Sequence, residues 1–453
     1  MNTQQSTHWF DPLFTTERMR AIFSDHGRLQ GLLDFEAALA RAEARVGVIP
    51  ATAAPLIEAQ CRAERFDLAA LAQATALAGN SAIPLVKALT ARVAEQDAAA
   101  SRYVHWGATS QDAMDTGLVL QLRAALEVFE TELAGLSAAA ARLAAAHRRT
   151  PLAGRTWLQH APPVTFGLKA AGWFDALERH RARLRELRPR LLVIQLGGAA
   201  GTLAALGESG LEVAAALADE LELGLPELPW HGSRDRLAEV ATTLGLLVGS
   251  LGKIARDLSL LMQTEVGEAF EPAAAGRGGS STMPHKRNPV GCAVALAAAT
   301  RVPGLVATML AAMVQEHERG LGGWHAEWDT LPEICTLTAG AAAHLRHVLE
   351  GLEVDMARMA RNLELTQGLL LAEAVMIALG SHIGRLPAHH LVEQACRRAA
   401  EQSRHLRAVL AEQPEVQAHL SSEELDRLFD PAHYLGLSET LVERALAVRA
   451  DEP

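Results

Sequence analysis

The feature that most constrains the fold of this 453-residue chain is a helical repeat of apolar residues that recurs along its length. In the stretch DFEAALARAEARVG, apolar side chains return every three or four residues, the spacing of an amphipathic helix. Similar patterns run from Ala113 to about His147 and from Leu237 to about Glu265. Alternating strand-like runs and Asn-Gly hairpin turns are nearly absent. The sequence therefore predicts an all-α fold with a long central helical bundle.

Turn-rich breaks divide this helical pattern into three predicted domains. We expect an N-terminal helical domain over residues 1–110, a central long-helix bundle over 111–355 and a C-terminal helical domain over 356–453. Long alanine-rich helices with wide apolar faces pack closely in bundles. Faces this wide are expected to bury against other subunits as well as their own chain, so the pattern favours an oligomer.

Composition limits the partners of the chain. Its net charge of −11 disfavours a broad nucleic-acid surface, so an anionic substrate would need a local basic site. The four cysteines, at positions 61, 292, 335 and 396, form no CxxC pair, which favours a reducing compartment. The N terminus is polar, and uncharged runs such as Leu191–Gly207 are shorter than a membrane span. We expect a cytoplasmic protein that binds neither nucleic acid nor membrane.

The stretch GRGGSSTMPHKRNP, residues 276–289, has an unusual concentration of glycine, serine and basic residues. It has neither the GxxxxGK[ST] spacing of a Walker A loop nor the GxGxxG spacing of a dinucleotide site, and no strand pattern precedes it. A flexible linker would explain the glycines but not the basic residues between two prolines. The pattern alone leaves a solvated linker and a catalytic loop both open.

Two further segments contain polar residues that suit an active site. In HWGATSQD (105–112), Thr109 and Asp112 have capping-box spacing at a helix start, where they are either ordinary caps or part of a carboxylate site. In GRTWLQHAPPVT (154–165), Gln159 and His160 fall in a predicted proline-bounded loop. A single histidine is more often structural than catalytic, so neither segment is decisive alone.

The histidines give no indication of a metal. His317 and His325 are eight residues apart with glycines between them, which is neither the HExxH spacing nor a familiar zinc spacing. We expect no metal and no cofactor.

Taken together, the three segments resemble the active-site regions of the fumarase/aspartase superfamily. GSSTMPHKRNP is similar to its signature G-S-S-x-M-P-x-K-x-N-P, while residues 107–112 and 156–165 match the other two regions in the expected order. The resemblance extends over essentially the whole chain. It implies an all-α homotetramer whose active sites are each shared between subunits. It also implies cofactor-free chemistry through an aci-carboxylate (enediolate) intermediate.

Longer stretches are most similar to the superfamily members that close a muconate tricarboxylate to a lactone. These stretches are FSDHGRLQGLLDFEAALARAEA, AGNSAIPLVKAL, YVHWGATSQDAMDTGLVLQLR, GRTWLQHA, QEHERGLGGWHAEWDTLPEI and LDRLFDPAHYLG. The resemblance implies an isomerase acting on a small tricarboxylate. Two alternatives remain, namely a lyase that eliminates a group β to a carboxylate, such as adenylosuccinate lyase, and an inactive structural homologue.

The resemblance also implies roles for individual residues. Ser280 is the candidate proton carrier, and Lys286 and Asn288 are the candidate anion holders. His160 is a third catalytic candidate, for which substrate binding is the favoured role. The remaining candidates for substrate binding are Asn80, Ser81, His105, Thr109, Ser110, Gln159, Ser281, Met283, Arg287, Arg319 and His325.

One departure from the superfamily pattern bears on the reaction. The lyases pair the histidine matching His160 with a glutamate five residues after the signature asparagine, where this chain has Ala293. Lyases expel groups that leave poorly unless protonated. A lactone expels a carboxylate of pKa ~4, which needs no proton. Ala293 therefore favours a cycloisomerase over a lyase.

Two differences count against a nucleotide substrate. Adenylosuccinate lyases carry His-Asp-Val where this chain has GNSAIP, and they have an Arg-Tyr pair near the N terminus. The only tyrosines here are Tyr103 and Tyr434.

Overall fold

The computed structural model describes residues 9–273 and 276–447, whose regular structure is predominantly helical, as predicted. The ends of the two outer predicted domains, residues 1–8 and 448–453, lie outside the described residues. The helices are α1 (Asp11–Phe14), α2 (Glu17–Ile22), α3 (Asp25–Val46), α4 (Ala53–Glu58), α5 (Leu68–Ala78), α6 (Ala82–Gln96), α7 (Ser110–Ala146), α8 (Phe166–Leu191), α9 (Gly210–Leu221), α10 (Asp235–Leu261), α11 (Val290–Ala312), α12 (Gly323–Glu350), α13 (Met356–Leu363), α14 (Ala372–Ile383), α15 (Arg385–Gln402), α16 (Leu406–Ala411), α17 (Pro414–Gln417), α18 (Ser422–Leu428) and α19 (Ser438–Ala447). Short 3₁₀ turns lie at Ala63–Arg65, Ala100–Tyr103, Ala204–Ser209, Glu364–Thr366, Leu369–Leu371 and Pro431–Tyr434.

The three helices predicted from periodicity are confirmed within a few residues. They are α3, α7 and α10. The start of α3 is capped by the Ser24 hydroxyl, which accepts the Gly27 N–H, and its end by Gly47 at a φ of 86°. Local capping thus accounts for the bounds of this helix, and its apolar stripe for the face that it buries.

Two small antiparallel hairpins interrupt the helices. Strand β1 (Pro151–Thr156) pairs with β2 (Gln159–Thr165), and β3 (Ala269–Phe270) pairs with β4 (Glu353–Val354). The prediction of a loop around Gln159 and His160 is therefore wrong, since both residues lie on β2. The prolines in this segment conceal the strand signal, because proline is unfavourable in most strand positions.

The chain divides into two compact units. The first contains the described residues up to Ala134, together with Arg179–Gly252 and Val294–His344. In this unit α3, α4 and α6 share a core that includes Leu33, Ile57 and Leu89. Helices α3 and α7 touch through glycine, because a Cβ added to Gly31 would lie 2.9 Å from the Gly117 carbonyl oxygen. This contact holds α3 against the N-terminal part of α7.

The second unit contains Gly135–Glu178, Lys253–Ala293 and the described residues from Leu345 onward. Its C-terminal helices α14, α15 and α16 bury an apolar core that includes Val375, Val392 and Val409. The division into two units does not test the three predicted domains, which remain a prediction.

Two helices, α10 and α11, are long and apolar enough to cross a membrane by length and composition alone. Charged residues interrupt both helices, so neither contains an uncharged run of membrane-spanning length. In the most apolar window of α10, 61% is buried within the chain, but in that of α11 only 33% is. Helix α11 therefore presents an apolar surface that the described residues leave uncovered.

Candidate active site

The start of α7, in the first unit, is organised by the buried carboxylate of Asp112. The Thr109 backbone N–H donates to its Oδ2 at 2.9 Å, which is one half of the predicted capping box. The backbone N–H groups of Gly197 and Gly198 also donate to it, at 3.0 and 2.9 Å, and His231 Nε2 lies 2.7 Å from Oδ1. Asp112 is thus fully occupied and joins the helix start to the 197–198 loop.

Arg319 brings two distant segments together at this helix start. Its guanidinium donates to the Thr109 hydroxyl at 3.2 Å, to Gln111 Oε1 at 3.1 Å and to the Ala199 carbonyl at 3.1 Å. The Thr109 oxygen accepts from Arg319, so its own hydroxyl proton is free to be donated elsewhere. Ser110 is the first residue of α7. The side chains of Thr109, Ser110, Gln111 and Arg319 therefore lie at one helix N terminus. Negative charge is favoured at such a position.

A buried ion network lies directly behind this helix start. Arg234 donates to both oxygens of Asp115, at 2.6 and 2.9 Å, and to both oxygens of Glu327, at distances from 2.5 to 3.1 Å. All three side chains are almost inaccessible to solvent. The guanidinium also lies 5.0 Å from the Trp230 ring centroid. Sequence reasoning missed this network, because no motif links residues 93 and 119 positions apart.

His105 lies just before α7 and is paired with a buried acid. Its Nδ1 is 2.6 Å from Glu36 Oε1. Burial lowers the pKa of His105, but the carboxylates of Glu36 and Asp112 raise it, and the net shift is upward. The residue adopts a φ of 58°, which is uncommon for any residue other than glycine.

The other predicted residues of the first unit have less specific surroundings. Asn80 Oδ1 accepts the Ile83 N–H at 3.1 Å, as a helix cap does. The Ser81 hydroxyl oxygen is buried and has no hydrogen-bond partner among the described residues. His325 is exposed, and its ring contacts Trp324 and Trp328. Substrate contacts for these residues remain predictions.

His160 lies in the second unit, on the hairpin formed by β1 and β2. It is opposite Arg155 in the register, and Arg155 pairs with the buried Glu268 at 2.7 Å. Burial and the Arg155 charge lower the pKa of His160, with Glu268 opposing them, so the neutral imidazole is favoured. Its Nδ1 is buried without a hydrogen-bond partner in the described part of the chain.

The tip of the same hairpin has a feature to which the sequence analysis assigned no role. Trp157 and Leu158 both have positive φ, at 52° and 63°, as in a type I′ turn. That conformation is unfavourable for large side chains, and these two are 96% and 78% exposed. The adjoining Gln159 is also exposed. The turn thus exposes two large apolar side chains to solvent, within the segment 154–165 in which active-site residues are predicted.

The signature loop folds back on itself. The Asn288 backbone N–H donates to the Gly278 carbonyl at 2.8 Å, and its side-chain amide donates to the Gly279 carbonyl at 3.2 Å. Gly278 has a φ of 67°, and a Cβ there would lie 2.7 Å from the Asn288 oxygen, so only glycine fits. The Ser280 hydroxyl oxygen accepts the backbone N–H of Met283 at 3.0 Å and is also 3.3 Å from the Thr282 N–H.

Two adjacent basic residues of the loop have different environments. Arg287 forms a double ion pair with Glu353, at 2.8 and 2.9 Å, donates to the Glu271 carbonyl and lies over the Phe270 ring. These contacts anchor the loop to β3 and β4, and a substrate contact by Arg287 remains a prediction. Lys286 is exposed, and its amino group has no ion pair within the described residues.

The predicted residues therefore form two groups. The first unit holds Asn80, Ser81, His105, Thr109, Ser110, Arg319 and His325, and the second holds Gln159, His160, Ser280, Ser281, Met283, Lys286, Arg287 and Asn288. Ser281 and Met283 are exposed on the signature loop. The described residues also contain one group of potential metal ligands, exposed His389, His390 and Glu393, outside every predicted segment.

Comparison with known proteins assigns the chain to a family. Residues 14–304 match the family described as Lyase, and residues 368–445 match the family described as Adenylosuccinate lyase C-terminus. The chain is 68% identical to 3-carboxy-cis,cis-muconate cycloisomerase of Pseudomonas aeruginosa, over 99% of this chain and 97% of that relative. It is 45% identical to nitrosuccinate lyase of Streptomyces davaonensis, over 94% of this chain and 92% of that relative.

Its fold is also that of a solved relative. The crystal structure of 3-carboxy-cis,cis-muconate lactonizing enzyme from Pseudomonas putida superposes with a TM-score of 0.93, at 62% identity, over 97% of this chain and 98% of that one. Sequence and structure thus agree over nearly the full length. The chain therefore belongs to the lyase family of the fumarase/aspartase superfamily, and within it to the 3-carboxy-cis,cis-muconate cycloisomerases.

Proposed function

We propose that this chain converts 3-carboxy-cis,cis-muconate to 4-carboxymuconolactone, in the protocatechuate branch of the β-ketoadipate pathway. The observation that carries the proposal is its 68% identity, over nearly its whole length, to a cycloisomerase named for that substrate, against 45% to nitrosuccinate lyase. The signature residues Ser280, Lys286 and Asn288 are all present.

In the forward reaction, a substrate carboxylate adds to a double bond conjugated with another carboxylate. The acceptor then becomes an aci-carboxylate dianion, which fixed positive charge and hydrogen-bond donors stabilise. The Lys286 ammonium group has no ion pair among the described residues, and the start of α7 offers Thr109 and Ser110 beside the Arg319 guanidinium. We assign the dianion to these groups together with Asn288, supplied by different subunits of the assembly proposed below.

Carbon protonation completes the addition, and we assign it to Ser280. When it donates its proton to carbon, the hydroxyl becomes an alkoxide, and in the reverse direction this alkoxide takes the proton back from carbon and becomes a hydroxyl again. The N–H groups of Met283 and Thr282 already point at its oxygen, so they favour the charged form. The leaving group in that direction is a carboxylate of pKa ~4. It requires no acid, which agrees with Ala293 and with a neutral His160 in a binding role.

We further propose a homotetramer with active sites shared between subunits. Helix α11 supports this assembly, because it is strongly apolar and two thirds of its most apolar window are not buried by the described chain. The assembly would also let the two groups of predicted residues be completed by other copies. We keep the three predicted domains, 1–110, 111–355 and 356–453, as part of this proposal.

We also propose that the protein works in the cytoplasm. All four cysteines are free, and three of them are buried. Thiols that form no disulfide are typical of a reducing compartment.

Turnover assays distinguish the three candidate functions. Loss of the diene absorbance of 3-carboxy-cis,cis-muconate, with formation of 4-carboxymuconolactone, is the expected result. Release of AMP from adenylosuccinate would instead support the lyase alternative. A folded protein that turns over neither substrate would support an inactive homologue. Lys286→Met serves as the control, since it should abolish turnover caused by this site and leave turnover from a contaminant unchanged.

A further inference from the structure

The contact between Glu36 and His105 is a candidate for a second layer of the substrate site. Glu36 lies on α3, and its Oε1 is 2.6 Å from His105 Nδ1. The side chain of Glu36 is 1% exposed and that of His105 is 15% exposed. A contact of this length between a buried carboxylate and an imidazole is a charge-assisted hydrogen bond. It fixes the ring through Nδ1.

The second ring nitrogen of His105, Nε2, differs from Nδ1 in its contacts. Within the described residues, Nε2 makes no hydrogen bond, although the ring is held in place at Nδ1. The backbone of His105 is also held at a φ of 58°, a conformation that costs energy for a residue with a side chain. Strain of this kind persists only where surrounding contacts enforce it. The arrangement thus leaves one N–H of an oriented ring available to a ligand.

A second buried acid on the same helix has no such partner. Glu43 lies two turns after Glu36, is 0% exposed, and neither of its carboxylate oxygens has a hydrogen-bond partner among the described residues. Burial raises the pKa of Glu43 to about 9, and the Glu36 charge adds to the effect. Glu43 is therefore protonated at neutral pH. Of the two carboxyl groups, only Glu36 is placed to act on His105.

We propose that Glu36 is a positioning residue that orients His105 through Nδ1, so that the Nε2 N–H of the ring binds a carboxylate of the tricarboxylate substrate. The inference rests on the proposed function, in which His105 is a substrate-binding residue. The ionisable groups that act on His105 are Glu36 and Asp112, and Asp112 is occupied by its own four contacts. Glu36 is consequently the group whose removal changes the charge of the ring.

The test compares Glu36→Gln with Glu43→Gln, a matched change at a neighbouring buried acid. For Glu36→Gln, we expect the KM for 3-carboxy-cis,cis-muconate to rise about 10- to 100-fold with kcat much less affected, the size expected for a charge-assisted hydrogen bond. Glu43→Gln replaces a group that is already neutral, so its KM should stay within about twofold of wild type. Equal KM values for the two variants would overturn the proposal.

The pH profile gives a readout that a purely structural role would not move. Because the pKa of His105 is raised in the folded protein, binding is strongest at low pH and weakens as pH rises through that pKa. Without the Glu36 charge, the weakening should begin at lower pH. His105→Asn should abolish this pH dependence, and Asn tolerates positive φ. In the double variant, Glu36→Gln should add nothing further; independent effects of the two changes would contradict the coupling.

Calorimetric binding of tricarballylate separates this inference from the proposed function. If the wild type does not turn over 3-carboxy-cis,cis-muconate, the proposed function fails. The inference then stands if the wild type binds tricarballylate and Glu36→Gln weakens that binding by about 10- to 100-fold. It fails if Glu36→Gln binds tricarballylate as tightly as the wild type does. Circular dichroism checks that Glu36→Gln is folded. If it is not, His105→Asn alone decides, because an unchanged KM in that variant overturns the proposal.

Discussion

Replacement of Arg234 by leucine tests the buried network behind the α7 start. Arg234 is 1% exposed and forms charge-assisted hydrogen bonds with Asp115 and Glu327, which are 2% and 1% exposed. Leucine removes the guanidinium but leaves both carboxylates buried. Breaking one buried ion pair by removing a partner costs about 3–5 kcal/mol. Because Arg234→Leu leaves two buried carboxylates without a counter-ion, we expect its loss in free energy of unfolding at the upper end of that range. A typical protein has a total free energy of unfolding of about 5–15 kcal/mol.

The loss should depend on pH in a definite direction. Burial raises the pKa of Glu327, and Arg234 counteracts this increase, so removing Arg234 raises that pKa further. An acid with a higher pKa in the folded chain than in the unfolded chain costs more stability as pH rises above its unfolded value. Arg234→Leu should therefore be more destabilising at about pH 8 than at about pH 5.5.

The assay is unfolding in guanidinium chloride at fixed protein concentration, followed by tryptophan fluorescence, with Trp230 5.0 Å from the guanidinium as a local reporter. The matched control is Arg190→Leu, which removes a double ion pair with Glu239 at the protein surface. Solvent screens that pair, so the midpoint should move far less. Equal midpoint shifts in both variants, or a shift of Arg234→Leu that is the same at both pH values, would refute the reasoning.

Three further changes test the proposed site and assembly. Lys286→Met should abolish turnover with an almost unchanged melting temperature, because the side chain is exposed and unpaired in the described structure; near-normal activity would exclude its assigned role. Ser280→Ala should lower kcat by at least about 100-fold, the lower range for positioned proton transfer, and a loss below tenfold would assign that transfer to another group. Leu310→Glu places a charge on α11, where Leu310 is 48% exposed, and should shift the sedimentation profile to smaller species with loss of activity. The control Leu386→Glu changes a 71% exposed leucine on α15 and should leave that profile unchanged.

Periodicity and capping were sufficient to predict the main helices. The apolar stripe of α3 and the long run of helically spaced apolar residues in α7 depend on local spacing. They can therefore be identified from the sequence without knowledge of the fold. Asp112 was predicted as a capping residue and does accept the Thr109 N–H. Its contacts with the 197–198 loop and His231 were not predictable, because they join residues from 85 to 119 positions apart.

The hairpin at residues 151–165 and the anchoring of Arg287 had no local signal. The hairpin contains three prolines and turns at Trp157 and Leu158 rather than at Asn-Gly, so neither the strands nor the turn follow the usual preferences. Arg287 looked like one member of a basic cluster. Its partner Glu353 lies 66 residues further on. Only the folded chain distinguishes Arg287 from Lys286, which has no ion pair in the part of the chain that the structure describes.

An acidic chain can hold a tricarboxylate only if its own carboxylates do not compete for the cations. Here, several buried acids in both units have partners within the chain. Asp112 is bound by backbone N–H groups, Arg234 neutralises two carboxylates, Glu268 pairs with an arginine and an amide, and Glu271 accepts the two N–H groups at the start of α11. These contacts occupy the named carboxylates, whereas Lys286 has no ion pair among the described residues. A net charge of −11 is therefore compatible with binding three substrate carboxylates, and the proposed role of Lys286 depends on that unpaired charge.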